Sequence, residues 1–99
     1  MSAPPDKRDL PRIPVDSAVV YSQFGSGGIY HGRARNLSGS GILFTTPHRP
    51  ILGCRLNLHM RSGPGRIPSL KAIVEVVRIT PATGRDQFQV AGKIREVPA

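Results

Sequence analysis

Acidic residues are scarce in this sequence, and between Ser17 and Val74 there are none. The same stretch carries Arg33, Arg35, Arg49, Arg55, Arg61, Arg66 and Lys71, and the whole chain has a formal net charge of +8. A field of one sign without interspersed acids points to an anionic partner: nucleic acid, a nucleotide or an acidic protein surface. Cysteine is almost absent. Cys54 stands alone, which excludes an internal disulfide and a cysteine-rich zinc site, and it reads as a small core residue beside Leu52 and Leu56. Tryptophan is missing and aromatics make up 5% of the chain, so the core is expected to be aliphatic. No apolar run is long enough to span a membrane as a helix. The start, Met1 to Pro5, lacks the apolar segment of a signal peptide, and the expected location is the cytoplasm. With 99 residues there is room for one domain.

What is present is proline, glycine and β-branched residues. Ten prolines leave no stretch where a long helix fits, and the longest proline-free window, 15–46, is broken by six glycines. Strands are expected at Ser17–Phe24, Ile29–Leu37, Gly41–Thr45, Leu52–Arg61, Ser69–Thr80 and Phe88–Arg95. The last alternates cleanly, with Phe88, Val90, Gly92 and Ile94 on one face. The fifth is apolar on both faces, as suits a barrel strand partly covered outside. Gly25 to Gly28 read as a hairpin linker, because no Gly-Lys-Ser tail or following helix makes them a phosphate loop. Six short strands with turns between them predict an all-β fold, a small six-stranded antiparallel β-barrel, since closure removes exposed edges. Residues 1–12, with Pro4, Pro5 and Pro11 among charged neighbours, read as a flexible N-terminal arm; residues 13–99 form the barrel domain.

Catalytic and metal chemistry finds few candidates. His31, His48 and His59 share no metal-ligand spacing, no serine lies in a Gly-x-Ser-x-Gly elbow, and the acids are too dispersed for paired carboxylate work. The chain reads as a binder, with no enzyme activity, metal or cofactor expected. A nucleic-acid barrel of the OB or cold-shock kind fits the size and charge. Such folds stack bases on surface aromatics. Tyr21, Phe24, Tyr30, Phe44 and Phe88 are isolated in sequence, and Phe44 and Phe88 read as core, so nucleic acid is the second reading.

Two segments suggest a built site. Arg8-Asp9-Leu10-Pro11-Arg12 sets two arginines four apart in a segment that cannot be helical. Further on, Asn36-Leu37-Ser38-Gly39-Ser40-Gly41 offers amide, hydroxyl and backbone N–H groups, and Gly41 lets a ligand or another strand approach closely. This ordered pair resembles the PilZ family of bacterial cyclic di-GMP receptors, whose signature is Arg-x-x-x-Arg in an N-terminal loop followed by [Asp/Asn]-x-Ser-x-x-Gly on a six-stranded barrel. The resemblance spans nearly the whole chain. It implies a cyclic di-GMP site formed by Arg8, Arg12, Asn36, Ser38 and Gly41. Lys7 resembles the basic residue found there in members that bind an intercalated ligand pair. Asn36 stands where many members have Asp, and a neutral amide accepts no charged bond from guanine, so a lower affinity is expected. The chain ends soon after the last strand, which implies an adaptor that presents a new surface to a downstream protein in motility, biofilm or exopolysaccharide control. A PilZ-like barrel that has lost the nucleotide and works through protein contacts alone is a further alternative.

Overall fold

The computed structural model describes residues 13–25, 27–62, 69–84 and 87–98. They form six strands: β1 (Ile13–Gln23), β2 (Tyr30–Leu37), β3 (Gly41–Thr46), β4 (Arg55–Met60), β5 (Leu70–Pro81) and β6 (Phe88–Glu96). All pairings are antiparallel, and the sheet closes on itself in the order β1-β2-β3-β6-β5-β4, with β4 returning to β1. This is the expected barrel. No helix among the described residues is long and apolar enough to cross a membrane.

Side-chain alternation builds the interior. Val15, Ser17, Val19, Tyr21 and Gln23 of β1 point inward, as do Leu56, Leu58 and Met60 of β4 and Ala72, Val74 and Val76 of β5. Phe44 and Val90 are fully buried beside them. Burying each of the larger side chains contributes about 1.5–3 kcal/mol. Phe88 and Ile94 are half-buried and pack on this cluster, so the expected inner face of β6 is the observed one. Gly92 belongs to that face because a β-carbon there would strike the Val74 side chain.

Three expectations need correcting. First, β1 begins at Ile13, four residues before Ser17. Pro14 is tolerated because a β-bulge follows it: the register slips between Pro14 and Ser17, and proline is at home next to bulges. Second, Leu52 to Cys54 form a turn, and β4 starts only at Arg55. Gly53 takes a positive φ of 86°, and its N–H donates to the Val76 carbonyl at 2.8 Å. Leu52 is therefore 58% exposed, while Cys54 is half-buried, packs against the edge of the core and donates its thiol to Gln23 Oε1 at 3.5 Å. Third, the aromatics are not isolated. Tyr21 lies 5.3 Å from Phe44 and 5.6 Å from Tyr30, and Tyr30 stacks on His48 at 3.7 Å. The cluster faces the interior at the end of the barrel where β1 leaves and β2 enters. It is not a base-stacking platform, since Tyr21 is 1% exposed.

Candidate functional site

The β2–β3 turn holds the second half of the sequence motif. Leu37 pairs with Ile42, and Ser38 N–H donates to the Gly41 carbonyl at 2.9 Å. The Ser38 hydroxyl accepts from Gly41 N–H at 3.1 Å and from Ser40 N–H at 3.4 Å. A serine hydroxyl has two acceptor lone pairs, so both are occupied inside the turn. Ser38 thus fixes the loop's shape. Ser40 ties the turn to the neighbouring strand, its carbonyl accepting from Ile94 N–H at 2.8 Å. Gly41 sits where β3 meets β6. A β-carbon there would lie 2.9 Å from the Gly92 carbonyl oxygen, so of the two close approaches expected of Gly41, the structure uses the strand contact.

Asn36 reaches the surface through a bulge. Ala34 pairs with Phe44 and points inward, and in a regular strand Asn36, two residues on, would point inward too. The register slips between them: Asn36 pairs with the outward Leu43, and Arg35 is the extra residue. A bulge re-aims the side chains beyond it. The same device acts on β5. Val76 pairs with Gly92 and Arg78 with Ala91, which leaves Val77 as the extra residue and turns Arg78 outward.

The two bulges complete one continuous row across the outer face. Pro14 pairs with Asn36, Asn36 with Leu43, Leu43 with Ala91, and Ala91 with Arg78. The row spans β1 to β5. At the usual inter-strand spacing, Asn36 and Arg78 stand roughly 14 Å apart. A groove of about 360 Å³ lies along it, floored by Leu43 and Ala91, with Asn36, Ser40, Arg78 and Lys93 around it. Lys93 lies in the next row, opposite Gly41. Its other cross-strand neighbour, Glu75, is held by Arg95 at 2.6 Å. Arg78 and Lys93 contact no carboxylate among the described residues, so the groove is lined by two cations and no acid. Asp16, the acid of the β1 bulge, pairs with Arg33 and Arg35 outside the groove.

Of the expected site residues, the structure brings Asn36, Ser38 and Gly41 together on this groove. Lys7, Arg8 and Arg12 lie outside the described residues. Ile13, the first described residue, pairs with Leu37 beside the Asn36 end of the groove. Arg78 was not among the expected residues. In sequence it sits in a run that alternates from Ala72, and only the bulge at Val77 reveals its face. Lys93 was legible as outward on β6 but carried no motif. Among the described residues, no three His, Cys, Asp or Glu gather into a possible metal site.

The family model described as PilZ domain matches residues 6–97. A search of curated protein sequences found no match. Among solved structures, the inhibitor of motility MotI/DgrA of Bacillus subtilis superposes with a TM-score of 0.73 at 16% identity. The alignment covers 95% of this chain and 44% of that one, so the chain spans less than half the length of that protein. The PilZ domain of YcgR from Escherichia coli, solved with c-di-GMP, superposes with a TM-score of 0.68 at 12% identity, over 90% of this chain and 78% of that one. At these identities the structural likeness speaks for the fold alone.

Proposed function

The chain belongs to the PilZ domain family, and from that premise we propose that it is a cyclic di-GMP receptor that signals by folding its N-terminal arm over the β3–β6 groove. One observation carries the reading. The cross-strand row from Pro14 through Asn36 to Arg78 lies along a cation-lined groove, and β1, which follows the arginine-bearing segment in sequence, begins at one end of that row. Cyclic di-GMP carries two phosphates, each with one negative charge, and two guanines. Arginine matches both parts: its planar fork pairs with phosphate oxygens, donates twice to guanine O6 and N7, and stacks on a purine face. Arg8 and Arg12 supply these contacts from the arm, with Lys7 beside them. Asn36 meets a guanine edge from the barrel wall. Ser38 and Gly41 hold the wall in place. Leu43 and Ala91 form a small, flat floor on which a base can lie, while Arg78 and Lys93 add positive charge at the far side.

Ordering the arm costs conformational entropy, which the charge-assisted bonds to phosphate offset. The bound arm then presents a surface that the free protein lacks, and a downstream protein reads it. MotI/DgrA is an inhibitor of motility, and motility control is the process proposed here.

Calorimetric titration of cyclic di-GMP into the full chain tests the reading. Arg8→Ala, Arg12→Ala and Asn36→Ala are each expected to weaken binding by at least ~10-fold, the loss of about one charge-assisted or bidentate contact. Circular dichroism is expected to stay that of the parent. Equal affinity in all three variants, or no binding by the parent, overturns the proposal.

A further inference from the structure

A second groove lies across the barrel from the first, on the outer faces of β1, β4 and β5. Its volume is about 290 Å³. Val20, Ile29 and Pro98 line it with carbon, and Ser22, Asn57, His59 and Lys71 add polar groups. Ile29, at one rim, is 68% exposed. The register sets a second row of side chains across this face: Val20 pairs with His31 on one side and with His59 on the other, and His59 pairs with Lys71. One step along, Arg61 N–H donates to the Ala18 carbonyl, and Ala18 pairs with Arg33. An apolar centre is therefore flanked by His31 and Arg33 on β2 and by His59, Arg61 and Lys71 beyond β1.

Two of the three acids near this face are engaged, and the third, Glu96, stands opposite Ile73 in the row beside Lys71. Asp16 holds Arg33 and Arg35, and Glu75 holds Arg95. Arg61 and Lys71 meet no carboxylate among the described residues. Basic side chains set side by side on a sheet, with no acid between them, do nothing for the fold's stability. They do suit an anionic partner that also has an apolar part. Arg33, Arg61 and Lys71 of the acid-free stretch thus lie on a face that the ligand reading leaves unused.

We propose that this groove docks an acidic segment of a partner protein, with an apolar side chain seated over Val20 and Ile29 and carboxylates reaching Lys71, Arg61 and His59. The lining chooses protein over nucleic acid. Phosphates gain nothing from valine, isoleucine and proline side chains, and the neighbouring rings are unavailable for stacking, since Tyr21 is buried and Tyr30 lies against His48. The net charge of +8 opposes a second copy of this chain as occupant. The site does not depend on the nucleotide reading, because no residue lines both grooves.

Titration of the 15N-labelled full chain, followed through its backbone amides, tests the proposal. The probe is a short synthetic peptide of glutamates around a central leucine pair. Controls are the same peptide with the leucines replaced by serine, single-stranded oligothymidine, and phosphatidylglycerol vesicles. The leucine peptide is expected to shift Val20, His59, Lys71 and Ala72. The serine peptide is expected to bind at least ~10-fold more weakly, as is the leucine peptide with the Arg61→Glu, Lys71→Glu variant. That variant is expected to keep the parent's cyclic di-GMP affinity, which separates this site from the first. No shifts in the groove, equal binding of the serine peptide, or tighter binding of this face to oligothymidine or vesicles overturns the proposal.

Discussion

Tyr21 shows how much one residue can tie together in a barrel of this size. Its ring is buried between Phe44 and Tyr30, and its hydroxyl donates to the His48 carbonyl at 3.2 Å and lies 3.0 Å from Thr46 Oγ1. Thr46 Oγ1 in turn donates to the His31 carbonyl and accepts from His48 N–H. Burial pushes the Tyr21 phenol above its ordinary range, with the Thr46 hydrogen bond opposing and the neighbouring Tyr30 and Cys54 adding to the rise. The phenol is thus held more firmly in its neutral form when folded than when unfolded. Its contribution to stability is complete below about pH 10, the ordinary phenol value, and is lost as pH rises through the higher folded value. The Cys54 thiol, also raised by burial, adds to the same decline from its own ordinary value, about one pH unit lower. Urea unfolding is therefore expected to show a midpoint that is flat with respect to these groups in mild alkali and falls above about pH 9 to 10. Tyr21→Phe is expected to lose about 1 kcal/mol near neutrality and to show a shallower alkaline fall. An alkaline slope as steep in the variant as in the parent would place the titration elsewhere.

At the scale of the strand, the elements were legible and their irregularities were not. Alternation and turn residues identify six strands because both follow from local chemistry: β-branched residues fill a pleated surface, and glycine and proline end it. The inner face of β6 could be read directly. A bulge leaves no such trace. Nothing in Ala34-Arg35-Asn36 or Val76-Val77-Arg78 says that the middle residue is unpaired, because the slip is set by closure against β3 and β6. For the same reason the motif residues could be picked out while their roles could not. Ser38 looks like a ligand contact in sequence and holds the turn in the structure. Arg78 looks like an interruption in a core strand and lines the groove. The aromatic cluster was missed because its members come from β1, β2, β3 and the loop after β3, which only the fold brings together. The bulge at Arg35 is open to test. Its excision keeps Asn36 opposite Leu43 and Leu37 opposite Ile42 in a regular ladder with β3, but leaves Val15 and Asp16 of β1 with no residue opposite them on β2. The expected cost is about 1–3 kcal/mol, from ladder hydrogen bonds lost between β1 and β2, seen as a lower urea midpoint. Arg35→Ala keeps the backbone count and is expected to cost less than about 1 kcal/mol, since its contact with Asp16 is solvent-exposed. Equal losses from deletion and substitution would mean that the side chain matters and the bulge does not.

For the whole molecule, the barrel order separates the two proposed sites. The groove proposed for the nucleotide lies over β3 and β6, the basic groove proposed for docking over β1 and β4, and β5 contributes to both through different residues. A closed sheet of this size unfolds as one unit, so a ligand that binds only the folded form stabilises all of it. At a free concentration of about 100 times the dissociation constant, the gain is about 2.7 kcal/mol. In a domain of this length each kcal/mol moves the melting temperature by about 4–8 °C. Cyclic di-GMP at that excess is therefore expected to raise the midpoint by roughly 10–20 °C in a thermal melt. The paired Arg8→Ala, Arg12→Ala variant is expected to melt near the parent without ligand and to lose most of the rise. Lys71→Glu, on the opposite face, is expected to keep it. If the arginine variant keeps the full rise, the ligand is held without those two side chains and the arm is not part of the clamp. If Lys71→Glu loses it, the two faces are coupled through β5 and the division of labour argued here is wrong.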